Sequence, residues 1–390
     1  MIDFWEVINR SENGELMEER AYDRLVGKVS NEVIKKYNIK YDPEEVVSSD
    51  DNLADRLFDA AVEFFIKVGV YNCDTDRVIK FKEKELFEAL EATPDQIVWG
   101  QGRDQRIMRH RKVEDTAPPF CNFTLVGTPY PEDQFLQACM STARERLADC
   151  FSGPSLLGTL GGVEVKSGSA VEVEAGIFDI GKRREAARRV GYPGKGIYSH
   201  VSAAEKADAM IAAARPEFGC LDGDGVLCAA IAEMKVDNDR LKKTVFLLNT
   251  YYNMGGLNGP LMGGYAGGPE GTSMVLVAHN FLNLMVFRSQ YSTNFPIDMW
   301  QTCNTTRPML WLVGTAHQAL ARNTHFLHFA NAFTAAGPCT NFVCYELINH
   351  GITAAVSGAH LAPAACARNK YPERCTGMEG RISAEAGHAA

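Results

Sequence analysis

Gly191-Tyr192-Pro193-Gly194-Lys195-Gly196-Ile197-Tyr198-Ser199-His200 is the stretch on which the reading of the fold turns. Its glycines and proline make a backbone that can bend sharply and approach a neighbour closely. The charged segment Lys182 to Arg189 before it reads as a helix, and Ile197-Tyr198 after it as a short strand with Tyr198 near its end. Helix, glycine turn and strand therefore follow in order. Gly194-Lys195-Gly196 lacks the Ser or Thr that must follow Gly-Lys in a phosphate loop, and the first glycine is misplaced. On its own the stretch would pass for an ordinary connection. Its surroundings decide the matter, because the same rhythm recurs on both sides.

Working outward, Phe123 to Gly127 reads as strand, Pro131 to Leu147 as helix, and Val171 to Arg189 as helix. After Tyr198 come a helix from Ala203 to Arg215 and the β-branched run Thr244-Val245-Phe246-Leu247-Leu248, which reads as a buried strand. Asn253 to Gly259 reads as a turn. Gly263-Gly264-Tyr265-Ala266-Gly267-Gly268 leads into a helix near Thr272. Phe295 to Gln301, Arg307 to Ala321, His325 to Phe333 and Pro338 to His350 continue strand, helix, strand, helix. This alternation predicts parallel βα units, and their length fits an α/β fold of the closed (β/α)8 type, the TIM barrel. A dinucleotide-binding sheet would need Gly-x-Gly-x-x-Gly after its first strand and an acid about 20 residues on, and no stretch supplies both. Ala54-Leu57-Phe58-Ala61-Phe64-Phe65 has helical spacing in the charged first quarter. The expected organisation is thus a helical N-terminal extension over residues 1–95 packed on a barrel domain over 96–390. In such a barrel the chemistry sits at the C-terminal strand ends. Tyr198, the 253–259 turn and Asn331 to Phe333 fall there.

Composition narrows the class. A net charge of -9 argues against nucleic acid as partner, and no apolar run is long enough to span a membrane. Met1-Ile2-Asp3-Phe4-Trp5-Glu6 has no secretory pattern, so a cytoplasmic location is expected. The eleven cysteines are dispersed, odd in number and without Cys-x-x-Cys, which predicts reduced thiols and no structural zinc. His325 and His328, three apart on an inferred strand, point to opposite faces and read as core or rim residues rather than metal ligands. Gly263 to Gly268 could cradle an anion or make a tight turn. No base can be placed beside Cys339.

Several stretches together resemble the monomethylamine:corrinoid protein methyltransferase family. They are Tyr71-Asn72-Cys73-Asp74-Thr75-Asp76-Arg77, Gly102-Arg103-Asp104, Gly191-x-Pro193-Gly194-x-Gly196, Gly263 to Gly268, Asn304-Thr305-x-Arg307, Ala336-Gly337-Pro338-Cys339-Thr340 and Thr376-Gly377-Met378-Glu379. Their order and spacing match the family from about residue 60 to 385. The resemblance implies a TIM barrel, assembled as a homohexamer. It also implies transfer of a methyl group from a methylamine to Co(I) of a separate corrinoid protein. No permanently bound cofactor is implied: the corrinoid-ligating Asp-x-His-x-x-Gly is absent, and Ala359-His360-Leu361 does not supply it.

The departures concern the site. The family's catalytic pyrrolysine aligns with Tyr198, a phenol that cannot form the amine adduct. Three family glutamates align with Val201, Leu227 and Leu257, and a glutamine and a tyrosine with Asn331 and Phe333. The implied substrate site is therefore apolar and aromatic, and it favours a quaternary amine or an uncharged methyl donor over monomethylamine. The rival reading is a barrel that has lost catalysis and serves as a binding or assembly protein. The thiol expectation can be checked directly. Thiol titration of the denatured chain should give the same count with and without prior reduction.

Overall fold

The computed structural model describes residues 2–156, 158–199, 205–363 and 371–390. Parallel strands alternate with helices around a barrel. The strands are β1 (Asn122–Pro129), β2 (Cys150–Ser155), β3 (Gly196–Ile197), β4 (Gly225–Ala229), β5 (Asn253–Asn258), β6 (Tyr291–Asn294), β7 (Leu327–Ala332) and β8 (His360–Pro363). Each precedes a helix: α1 (Glu132–Ala143), α2 (Ala170–Arg189), α3 (Ala207–Ala213), α4 (Asn238–Leu247), α5 (Pro269–Met285), α6 (Arg307–Asn323), α7 (Asn341–Val356) and α8 (Gly377–Ala389). Strands β4 to β8 form one parallel ladder and β1 to β3 another. A bridge from Cys121 to Leu361 joins β8 to β1. The (β/α)8 expectation is met.

Apart from the strand read over Phe295 to Gln301, which lies earlier as β6 at Tyr291–Asn294, two local expectations are corrected. Thr244 to Leu248 is not a strand: Thr244 to Leu247 is the end of α4, and Leu248 caps it. Asp237 accepts the Arg240 amide at the helix start, and Leu241, Thr244 and Leu247 are buried at helical spacing, leaving Val245 and Leu248 exposed. The second correction concerns Asn253 to Gly259, which contains β5 rather than a turn. Its glycines are there for close approach. A Cβ on Gly255 would run into the Tyr291 ring, and one on Gly256 into Asn283.

The face between strands and helices is partly polar. Asn283 of α5 donates to Asn258 and Ser292, and Asn258 and Asn280 both donate to Asn294. These bonds fix α5 across β5 and β6 and satisfy side-chain amide groups that burial would otherwise penalise, Asn283 Oδ1 excepted. His328 packs outward from β7 against His317 of α6, their Nδ1 atoms 2.8 Å apart. His325 reaches the Thr93 carbonyl.

Helices Phe4–Asn13, Glu19–Lys36, Asp51–Val68 and Glu83–Glu91 precede the barrel. The apolar stripe read from Ala54 to Phe65 is buried, and Phe58 and Phe65 meet Phe281 of α5 edge-on. An antiparallel hairpin, Gln96–Trp99 with Arg106–Arg109, then lies across the N-terminal end of the barrel. Its tip is tied just ahead of β3 and β4, through Gln101 N–H to the Gly194 carbonyl and Gly100 N–H to Gly223.

Strands β3 and β4 share no ladder among the described residues. Asp224 bridges the seam instead. Its carboxylate accepts the amides of Ile197 and Leu221 at 2.8 Å, and it forms a bidentate pair with Arg184 of α2 at 2.8–2.9 Å. Arg184 also donates to the carbonyls of Pro193, Lys195 and Gly219. Both partners are buried, so every lone pair and N–H has to be met inside the protein. Asp224→Ala would leave a buried guanidinium without its counter-charge, and we expect it to cost about 3–5 kcal/mol. Urea unfolding measures this, and Arg184→Met combined with Asp224→Leu should recover part of the loss.

Candidate active site

The hairpin places Trp99 at the base of the barrel lumen, fully buried. Tyr198 follows β3 directly and lies almost parallel on Trp99, ring centroids 5.5 Å apart at 18°. The Tyr198 ring reaches across the lumen to Tyr291 of β6 (5.5 Å) and to Phe329 of β7 (5.1 Å, edge-on). Gly225 makes this floor possible, since a Cβ there would collide with Tyr198, Tyr291 and Trp99. Tyr198 is 2% exposed, and its hydroxyl has no hydrogen-bond partner among the described residues. Burial pushes its pKa well above the ordinary 10, so the phenol stays protonated.

Towards the C-terminal strand ends the inward side chains become accessible. Leu227 of β4 packs against the aromatic floor yet is half-buried, and so is Leu257 of β5, one inward step beyond Gly255, the register partner of Leu227. Asn331 stands one inward step above Phe329 on β7. Phe333, just past the strand, is half-buried with its ring 5.5 Å from Phe295. The residues singled out from the sequence therefore occupy different levels. Tyr198 belongs to the floor, whereas Leu257, Asn331 and Phe333 stand higher. Val201 lies outside the described residues.

Sequence reasoning missed the groups that hold these walls. Asn304, in the loop between β6 and α6, donates to the Asn331 carbonyl, and both its backbone and side chain pair with the backbone of Phe333. That three-bond clamp fixes how β7 ends. Asn304 sits in a quoted motif, but nothing in sequence shows that it reaches the neighbouring strand. Glu346 of α7 similarly accepts the amides of Ala335 and Ala336 and the Thr305 hydroxyl. Lys195 is no phosphate ligand here. Its ammonium caps the C-terminal end of α1 through the carbonyls of Ala143 and Glu145.

The family model "Monomethylamine methyltransferase MtmB" matches residues 2–390. The chain belongs to the monomethylamine methyltransferase family. Monomethylamine methyltransferase MtmB3 of Methanosarcina barkeri (strain Fusaro) is 27% identical over 359 residues, covering 92% of this chain and 78% of the relative. MtmB of Methanosarcina mazei is 26% identical over 393 residues, covering 99% and 84%. The crystal structure of the Methanosarcina barkeri MtmB superposes with a TM-score of 0.94 at 26% identity, over 99% of this chain and 84% of that one. The curated relatives are methyltransferases, and membership places this chain in that enzyme class. No helix among the described residues is long and apolar enough to cross a membrane.

The family's glycine-rich loop, Gly263 to Gly268, is held by a residue that the motif reading did not include. Glu233, just beyond β4, is buried and accepts the amides of Leu261 and Ala266. Burial pushes its pKa from 4.5 up to about 7, against the pull of those N–H groups. With the folded value above the unfolded one, the native state binds more protons between these pH values. The contribution of Glu233 to stability is then fully present below pH 4.5, declines by about 3 kcal/mol as pH rises through 7, and levels off above that. Glu233→Gln should flatten that part of the urea-midpoint profile. A profile of unchanged slope would remove Glu233 as its source.

Proposed function

We propose that this protein transfers a methyl group from a small methylated donor to Co(I) of a separate corrinoid protein, with the donor held in the barrel lumen above Tyr198. Leu227, Leu257, Asn331 and Phe333 form its walls, together with Val201 by resemblance. The reading further takes the enzyme to be a cytoplasmic homohexamer without a permanently bound cofactor. Family membership supports the reaction class. The observation that carries the site is the partial accessibility of inward-facing Leu227 and Ala229 on β4 and of Leu257 on the otherwise buried β5.

The donor is one without N–H groups. Methylammonium brings three N–H donors, each costing roughly 1–3 kcal/mol when unmet, and its charge costs several more without a carboxylate partner. Leucines at Leu227 and Leu257 offer neither acceptor nor counter-charge. Quaternary amines and uncharged methyl compounds escape the first cost. In-line attack by Co(I) asks the walls only to hold the methyl group towards the mouth.

The test mixes the protein with a reduced corrinoid protein and a panel of methyl donors, following loss of Co(I) absorbance and growth of methyl-Co(III). Monomethylamine should be the poorest donor. Fast turnover of monomethylamine with all others inert would overturn the donor assignment. Silence with every donor, beside a corrinoid protein shown to accept methyl groups, would favour a binding role without catalysis.

A further inference from the structure

The eight barrel strands contain no Asp, Glu, Lys or Arg at any position. Their two histidines, His328 and His360, are buried and held neutral by that burial. A cation drawn into this lumen would meet no opposite charge from any strand. Yet the lumen is not simply apolar. Side-chain alternation with Phe123, Phe151 and Ile197, which face the helices, turns Asn122 and Ser152 inward with Cys150 and Tyr198. By the same alternation Thr293 faces inward with Tyr291, and Asn331 with Phe329.

Among the described residues, Asn122, Ser152, Tyr198, Thr293 and Asn331 each carry a buried atom without a partner. They are both amide atoms of Asn122, Ser152 Oγ, Tyr198 Oη, Thr293 Oγ1 and Asn331 Oδ1. Tyr198 and Asn331 are more than nine-tenths buried. Register brings several of them together: Tyr198 N–H donates to the Phe151 carbonyl, which sets Tyr198 beside Ser152, and Thr293 pairs with Phe329, whose ring touches Tyr198. A buried polar group left unpaired is destabilising, and a collar of them around one lumen points to a polar partner for them.

We propose that the lumen takes an uncharged methyl donor with an oxygen beside its methyl group, a methyl ether or methanol, and not a cationic amine. This rests on the methyl-transfer reading above and narrows its donor. An ether or alcohol oxygen accepts the Tyr198 hydroxyl and can be met by the amides and hydroxyls of the collar. A quaternary ammonium satisfies none of them, and one face of the Tyr198 ring is already covered by Trp99. In the transfer, the Co(I) electron pair forms the Co–C bond as the C–O bond breaks, and cobalt passes from Co(I) to Co(III). The departing oxygen takes the proton of Tyr198 Oη, and the phenolate regains a proton from solvent.

Binding and turnover are tested separately on the full chain. Saturation-transfer NMR with methanol, 2-methoxyethanol, methylammonium and tetramethylammonium should show contact for the two uncharged probes. Tyr198→Phe should weaken them by about three- to tenfold, one hydrogen bond's worth, while raising the melting temperature, because an unpaired buried hydroxyl is removed. Asn331→Leu should weaken the same probes in a folded protein. Preferential binding of the cations, or undiminished affinity for the uncharged probes in both variants, would overturn the proposal. Methyl-Co(III) from the cationic donors alone overturns it too, with methyl transfer left standing. Uncharged probes that bind as stated but never methylate Co(I) would uphold the ligand class and remove the methyl-transfer reading.

Discussion

The Asp224 carboxylate holds closed the seam between β3 and β4, where the described residues form no ladder. Eight strands form a lumen only if the last gap is bridged, and here the bridge is an ion pair with Arg184, reinforced by the amides of Ile197 and Leu221. Arg184 gathers the turn before β3 and the turn before β4 onto one side chain of α2. Tyr198 is the next residue after β3, so its position over the lumen follows from that seam. A hydrophobic pair could fill the same volume, but it could not accept two backbone amides and donate to three carbonyls. The polar solution fits a place where strands are too short to satisfy their own backbone.

The fold was legible because its signal is repetition. Helical spacing in Ala54 to Phe65 and glycine turns ahead of β3 and α5 needed no tertiary information. The failures were local and had physical causes. Thr244 to Leu248 carries β-branched and apolar residues that suit a strand, and only the register of Leu241, Thr244 and Leu247 reveals the helix. Asn253 to Gly259 looks like a turn because its glycines answer to side chains on other elements, Tyr291 and Asn283. Such reasons are absent from the stretch itself.

The site was legible as a set of positions but not as a shape. The resemblance picked out Tyr198, Val201, Leu227, Leu257, Asn331 and Phe333, and the structure distributes five of the six between floor and walls by strand alternation and register, Val201 lying outside the described residues. What sequence could not supply was Trp99, which comes from outside the barrel, and Asn304, which acts from a neighbouring loop. Both are tertiary facts. The collar of unpaired polar atoms is one as well, since each member reads as an ordinary strand residue.

The Trp99–Tyr198 stack has a temporal meaning. It stops the tube at one end, so everything that enters or leaves must use the same opening. If cobalt approaches that opening on another protein, the donor has to be aboard before the partner arrives. The demethylated product then waits behind the partner until it withdraws. A stopper of two aromatic rings would thus impose an order on the encounter simply by closing one end of the tube.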